Sequence, residues 1–278
     1  MSNQIKADWY KLVHSKLFYV IIGLYGIVLL LYIVLDLSFV GDRILYIGTA
    51  LGTQSKPFPT FLINGYLNPS HPQFWELLRS SMSSNFFIWI IPVIFLVSYF
   101  MKEYTAGTIK LSVAYGISRF RIYLSKLFIS IFFLGILYFL VFFLSFTFTV
   151  IQNRYFPSLG NWFELIQLIL WNDLVMIVFV VFCFTISLLV KNTGIASAVL
   201  CVFMFVETIM LAIVRSSLDS LSCIVQIIVK ICPLYYWMDI SGYYLSHGIT
   251  ADIIRYGTIG IPVLLALSLL KLRRQEIK

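Results

Sequence analysis

The sequence predicts an all-α membrane protein with six transmembrane helices. Three observations carry that fold class. Hydrophobic residues make up 60% of the 278 residues and charged residues 12%, with a mean hydropathy of +0.94, whereas soluble domains run at about 45–50% and about 25%. Six apolar stretches approach the roughly 20 residues needed to cross a bilayer. Threading the chain through those six stretches also gathers its basic residues on one side, as the positive-inside bias of membrane proteins requires. The same composition excludes a disordered chain, a single anchor with a tail, and a large soluble catalytic domain.

The N-terminal segment Ile5–Phe18 has Ile5, Trp9, Leu12, Val13 and Leu17 at helical spacing, with Lys6, Asp8, Lys11 and Ser15 as its polar positions. Two readings stand: an amphipathic interfacial helix with its lysines toward anionic lipid, or a charged flank that orients the first span. The first span, Leu17–Leu35, is an uncharged run of 19 residues. It exceeds the about 7–15 residues of a signal-peptide core, and no small-residue cleavage site follows it.

Ser81–Met101 is the second span, interrupted by Pro92, which spanning helices tolerate. Leu127–Ile151 is uncharged; Leu165–Val190 carries Asp173 and Gly194–Val214 carries Glu207. Ile253–Leu270 closes the set, with Arg255 near its start and Pro262 inside. Nothing marks a second domain, so residues 1–278 read as one transmembrane domain.

The segment Leu221–Met238 is apolar but interrupted by Gln226, Lys230 and Pro233. Charge decides its reading. Six spans leave both termini inside with 13 of the 20 basic residues and three of the 12 acids, a formal +10, while everything else carries −2. A seventh span would put Lys271, Arg273, Arg274 and Lys278 outside. Leu221–Met238 is therefore expected as a re-entrant or interfacial segment on the outer face, before the sixth span. The expected location is the cell membrane, multi-pass, with both termini cytoplasmic. The net charge of +8 orients spans and is not a nucleic-acid surface.

Residues 36–80 form a long outer connection with Pro57, Pro59, Pro69 and Pro72. Its length predicts local structure, including a short helix over Phe74–Met82 resting on the membrane. Cys183 and Cys201 fall within spans. Cys223 and Cys232 share the outer loop and are read either as a disulfide or as two unpaired thiols. No C-x-x-C pair exists and His14, His71 and His247 are scattered, which argues against a metal site.

Signatures of chemistry are mostly negative. The chain has no G-x-x-x-x-G-K-[ST] phosphate loop, no H-E-x-x-H and no G-x-S-x-G, so catalytic residues and resident cofactors are not expected. Asp173 and Glu207 need an account, because a carboxylate in hydrocarbon costs at least ~2.5–3.5 kcal/mol. They lie at similar depth from the outer side. Either they face a translocation path, or they hydrogen-bond to Asn172, Thr208 or a neighbouring helix.

The most patterned segment is Lys102–Lys126, KEYTAGTIKLSVAYGISRFRIYLSK. Glu103 precedes a break at Gly107–Thr108, Ile109–Ala114 reads as a short amphipathic helix, and Gly116 with Ser118 makes a second break. Arg119, Arg121 and Lys126 lead back to the membrane. A short helix between two glycine breaks makes a compact knob suited to docking on a partner. A basic connector that only sets topology is the plainer alternative, though it does not require this order of residues.

At this segment the chain resembles the permease subunits of ABC-2 type transporters, including those of bacteriocin or lantibiotic export and immunity. Their loop between the second and third spans reads E-[FYx]-x-x-G-T-[IL], an apolar stretch, then S-R and a lysine opening the third span. Glu103, Gly107, Thr108, Ile109, Ser118, Arg119 and Lys126 match it. The basic start ADWYKLVHSKLF and Pro233 within ICPLYYWMDISGYY are similar to the family as well. About 25 residues carry the motif, the layout covers nearly the whole chain, and the outer loop exceeds that of the shortest members.

The resemblance implies a transport subunit rather than an enzyme. Its coupling helix docks into a separate P-loop ATPase that holds ATP and Mg. A second permease chain, identical or not, completes the path at the interface of the two. It assigns ATPase coupling to Glu103, Gly107, Thr108, Lys110, Arg119 and Lys126. The 17 Tyr, 25 Phe and 6 Trp agree with export of an amphipathic or hydrophobic substrate, with an antimicrobial peptide preferred, and agree equally with interfacial belts. The competing classes are an ion-coupled secondary transporter and a non-transporting membrane sensor or immunity protein.

Overall fold

A computed structural model describes residues 2–38, 45–47, 61–63, 74, 78, 89–105, 107–152, 154, 158–214, 226, 229–241 and 249–274. Nine helices follow among these residues: α1 (Ser2–Val13), α2 (Lys16–Ser38), α3 (Ile90–Thr105), α4 (Thr108–Ala114), α5 (Arg119–Gln152), α6 (Leu159–Val190), α7 (Thr193–Val214), α8 (Pro233–Ser241) and α9 (Ile249–Arg274). Between α2 and α3, strands β1 (Leu45–Ile47) and β2 (Phe61–Ile63) pair antiparallel with Tyr46 opposite Leu62. This ribbon is the local structure expected in the 36–80 connection. Of Phe74–Met82 only Phe74 and Leu78 are described. Both are helical and buried, with Phe74 edge-on to Phe146 of α5.

Among the described residues, four helices are long and apolar enough to cross a bilayer alone, over Arg119–Phe148, Leu165–Val190, Thr193–Met210 and Thr250–Arg273. A fifth span appears if α1 and α2, bent by 64° at their junction, count together. The expected span over Ser81–Met101 is described only from Trp89 onward, and α3 is 16 residues long. At 1.5 Å per residue α5 and α6, with 34 and 32 residues, run about 50 Å, well beyond a hydrocarbon core of about 30 Å. The helices thus have the lengths of a multi-pass membrane protein.

The core sits where α6 meets α3, α5, α8 and α9. Aromatic rings fill it: Phe100 stacks on Phe184 with centroids 4.4 Å apart, and Tyr123 stands edge-on to both. The α6–α9 seam is set by size and by hydrogen bonding. Gly257 lets α9 approach so closely that an added Cβ would lie 2.6 Å from Leu174 Cγ. Thr185 Oγ1 and Ser268 Oγ hydrogen-bond at 2.9 Å across the same seam. Small and hydroxylated residues are what helix pairs in lipid use to approach.

Two sequence expectations change. The single helix over Ile5–Phe18 is broken at His14–Ser15, because Ser15 Oγ accepts the Phe18 N–H at 3.3 Å and starts a new helix. Asp8 is not on a polar face: it is fully buried, since Ser125 of α5 donates to it at 2.6 Å. The helix α1 consequently docks on α5, with Trp9 edge-on to Phe132 at 5.7 Å. Within 221–238, the helix α8 packs inward. Its Leu234, Tyr235, Tyr236 and Trp237 are buried, and Trp237 lies 5.1 Å from Phe179 and 5.9 Å from Tyr138. Nine residues make a helix of about 14 Å, too short to span.

Candidate functional site

The α4 knob is built by backbone chemistry that the sequence writes plainly. Gly107 takes φ 69° and Gly116 φ 81°, left-handed conformations that cost other residues about 1–2 kcal/mol. At the far end of α4 the Ile117 N–H reaches Ser112 O at 3.1 Å and the Gly116 N–H reaches Val113 O at 2.9 Å. That pair of bonds is a Schellman motif, which requires the glycine. Ser118 then accepts the Arg121 N–H at 3.4 Å and caps α5. Thr108 Oγ1 donates to Glu103 O at 3.4 Å, closing the first break.

The anchoring of the knob is electrostatic. Glu103 Oε1 lies 3.0 Å from Lys11 Nζ of α1, and Oε2 lies 3.4 Å from Lys126 Nζ of α5. Lys126 is only 2% exposed, and its ammonium also sits 4.5 Å above the Tyr99 ring. Asp8 supplies a second negative charge beside them: its Oδ2 accepts from Ser125 and, at 3.1 Å, from Gln4, while Oδ1 is 4.0 Å from Lys11 Nζ. Burial raises the Glu103 pKa, but the Lys126 and Lys11 ammoniums outweigh it and hold the carboxyl below its ordinary value.

Four of the six expected coupling residues therefore meet around one junction: Glu103, Gly107, Thr108 and Lys126. Arg119 is placed nearby in sequence but serves another contact, donating to Leu272 O of α9 at 3.4 Å. Lys110 lies in α4, and its side chain is outside the described residues. Asp8, Lys11, Ser125 and Tyr99 belong to the junction and were not foreseen. Asp8 had a signal: Ile5, Asp8, Trp9 and Leu12 form one helical stripe, so the acid lies among the buried positions.

The two acids within spans are not brought together. Glu207 of α7 is buried and its Oε1 accepts the Tyr235 N–H at 3.2 Å, in the first turn of α8. A carboxylate there satisfies an N–H that the helix leaves unused and meets the positive end of its dipole. Thr208 is not its partner; that hydroxyl donates to Met204 O. Asp173 is half-buried, and no hydrogen bond or ion pair joins it to Glu207 among the described residues. Cys223 lies outside the described residues, so the pairing of Cys223 and Cys232 has no description. No group of three metal-ligating side chains occurs among the described residues.

Beside the junction is a cavity of about 470 Å³, lined by Tyr10, Lys11, Ser15, Lys102, Glu103 and Lys126 among others. The site thus joins a buried ion-pair cluster, a projecting helix and a basic cavity at one end of an apolar bundle.

The long apolar helices are compatible with a multi-pass membrane protein. The chain belongs to the family described as Protein of unknown function (DUF2705), whose model matches residues 44–277. None of the curated proteins compared matches it.

Proposed function

We propose that this chain is the permease subunit of an ATP-driven exporter, with α4 as the helix that docks into a separate P-loop ATPase. The observation that carries this reading is the form of α4. It is fixed at both ends by left-handed glycines, anchored behind by Glu103, and presents Leu111 and Tyr115 outward at 61% and 85% exposure. Exposed apolar side chains on a rigid helix outside the bundle are what a protein partner buries. In this reading six spans cross the cell membrane, the α3 region being the second of them, and both termini are cytoplasmic. The segment before α9 is re-entrant from the outer face. Two permease chains assemble with two ATPase chains that hold ATP and Mg, and the cargo is an amphipathic or hydrophobic molecule, with a peptide preferred.

In this reading the loop residues divide in role. Lys126, being buried, cannot pair with an ATPase and acts as a positioning residue that fixes Glu103. Arg119 ties the start of α5 to the end of α9. Asp173 remains available to line a path, whereas Glu207 already anchors α8, which speaks against an ion-coupled carrier built on that pair.

Purification in mild detergent should bring down a stoichiometric P-loop ATPase, and Gly107→Pro should abolish substrate-stimulated ATP hydrolysis while leaving membrane insertion intact. Proline fixes φ near −65°, opposite in sign to the 69° found, and removes the N–H that Gly107 gives to Tyr104 O. Normal stimulation in Gly107→Pro, or consistent absence of an ATPase, removes the assignment.

A further inference from the structure

The cavity beside the junction carries more positive charge and more N–H than the protein uses. Lys11, Lys102 and Lys126 line it with Glu103 as the one lining acid, and buried Asp8 lies 4.0 Å behind Lys11, leaving a formal +1 with Lys102 as the ammonium that neither acid faces. Each ammonium has three N–H donors. Lys11 and Lys126 each spend one on Glu103, and Lys102 is exposed and outside that ion-pair cluster. Tyr10 and Ser15 add hydroxyls to the wall, although Ser15 already donates to Leu12 O. At about 470 Å³ the cavity has the size of ordinary small-ligand sites, which run at about 300–1,000 Å³.

Its position selects among anions. The cavity sits at the 64° bend between α1 and α2. From that bend α2 departs with an outward apolar surface that begins at Tyr19 and Val20, 64% and 56% exposed. A phosphate in the cavity would therefore stand at the head of a surface that hydrocarbon covers. Basic pockets between helices at the membrane edge bind anionic headgroups in this manner.

We infer that this cavity, walled chiefly by α1, α3 and α5 with Leu17 of α2 and Thr108 of α4 at its edge, holds the phosphate of one anionic phospholipid, whose acyl chains lie along α2. The lipid phosphate completes the donor set of Lys11 and Lys102 from the open side, while Glu103 completes it from within. Lipid occupancy would then bear on the same junction that fixes α4, but its binding does not depend on that helix docking on an ATPase.

Native mass spectrometry of the delipidated full chain in detergent tests this. Phosphatidylglycerol should bind as one tightly retained molecule per chain, and phosphatidylcholine should not. Lys102→Gln, which leaves the buried ion pairs untouched, should weaken retention about fivefold, the effect of one charge near an anionic surface. Lys191→Gln, exposed between α6 and α7, should retain lipid as the unchanged chain does. Inorganic phosphate at millimolar concentration should not displace the lipid. Equal retention of the two lipids, an unaltered Lys102→Gln, or displacement by phosphate alone overturns the inference, the last by assigning the cavity to a soluble anion.

Discussion

Replacing Glu103 by glutamine keeps the shape of the junction and removes the charge that two lysines face. The Lys126 side of the effect dominates, because that ammonium is 2% exposed and loses its nearest counterion at 3.4 Å. Breaking a buried pair by deleting one partner costs about 3–5 kcal/mol. Here the loss is reduced, since the Tyr99 ring at 4.5 Å remains and can contribute up to about 2 kcal/mol to a desolvated cation. The Lys11 side adds little, because that side chain is 56% exposed and exposed pairs are worth about 0–1 kcal/mol. Glu103→Gln should therefore lower stability by about 2–4 kcal/mol and Lys11→Met by at most about 1 kcal/mol. Equilibrium unfolding in mixed micelles, followed by tryptophan fluorescence, measures both. Combining Glu103→Gln with Lys126→Met should recover part of the loss, because the Lys126 charge is no longer stranded, while buried Asp8 keeps only Lys11 at 4.0 Å as its cation. The sign with pH follows from the lowered carboxyl pKa. The contribution is complete above the ordinary value of about 4.3 and is lost only as pH falls through the still lower folded value, so the difference between Glu103→Gln and the unchanged chain should be flat from neutral pH to mild acid and then shrink. Equal costs for Glu103→Gln and Lys11→Met, or a double variant as unstable as the sum of its singles, would refute this account of Lys126.

Further outcomes follow from other contacts. Gly257→Ala should destabilise by about 1–3 kcal/mol through overpacking against Leu174, whereas Gly260→Ala, whose added Cβ would meet Val178 at 3.5 Å, should be nearly neutral; thermal unfolding of the two in the same detergent compares them. Gly116→Ala should cost about 1–2 kcal/mol of local stability, seen as faster hydrogen exchange confined to α4 and its flanks. Glu207→Gln should be mild because its amide oxygen still accepts the Tyr235 N–H, while Glu207→Leu removes that acceptor and should cost about 1–3 kcal/mol, with a shift in the fluorescence of the nearby Trp237 as an independent readout.

What the sequence revealed divides along the range of the interactions. The limits of α4 were legible because a left-handed glycine and a serine cap are local: Gly107, Gly116 and Ser118 each act within five residues of themselves. The apolar helices were legible because burial in lipid asks only for length and composition. The break at His14–Ser15 was written in Ser15 as a cap and was overridden by the apolar spacing that runs through it. Asp8 was the harder case. Its burial rests on Ser125, 117 residues away, and only the membership of Asp8 in the Ile5–Trp9–Leu12 stripe hinted at it. Glu207 gave its depth but not its partner, since nothing in α7 indicates that the first turn of α8 arrives beside it.

These two acids have the same physical logic. An acid in an apolar stripe, with a lysine close by or a helix start within reach, is held where it lies by at least one donor from another element. Asp8 receives Ser125 and Gln4, and Glu207 receives the Tyr235 N–H. Each ties a peripheral helix, α1 or α8, to the bundle at opposite stages of the chain. Glu103 differs because it is 15% exposed and answers to two cations at once. Glu103 lies at the end of α3, and its carbonyl accepts from Thr108 Oγ1 of α4 at 3.4 Å. A displacement of α4 that draws this end of α3 with it would shift Glu103 relative to Lys11, to Lys126, or to both, and Lys126 cannot follow it into solvent without losing its burial against Tyr99. Under the proposed coupling, motion imposed on the knob would be carried into α5 more strongly than into α1. On this ground Lys126→Met should uncouple the knob from the spans more severely than Lys11→Met, even where both chains insert equally well.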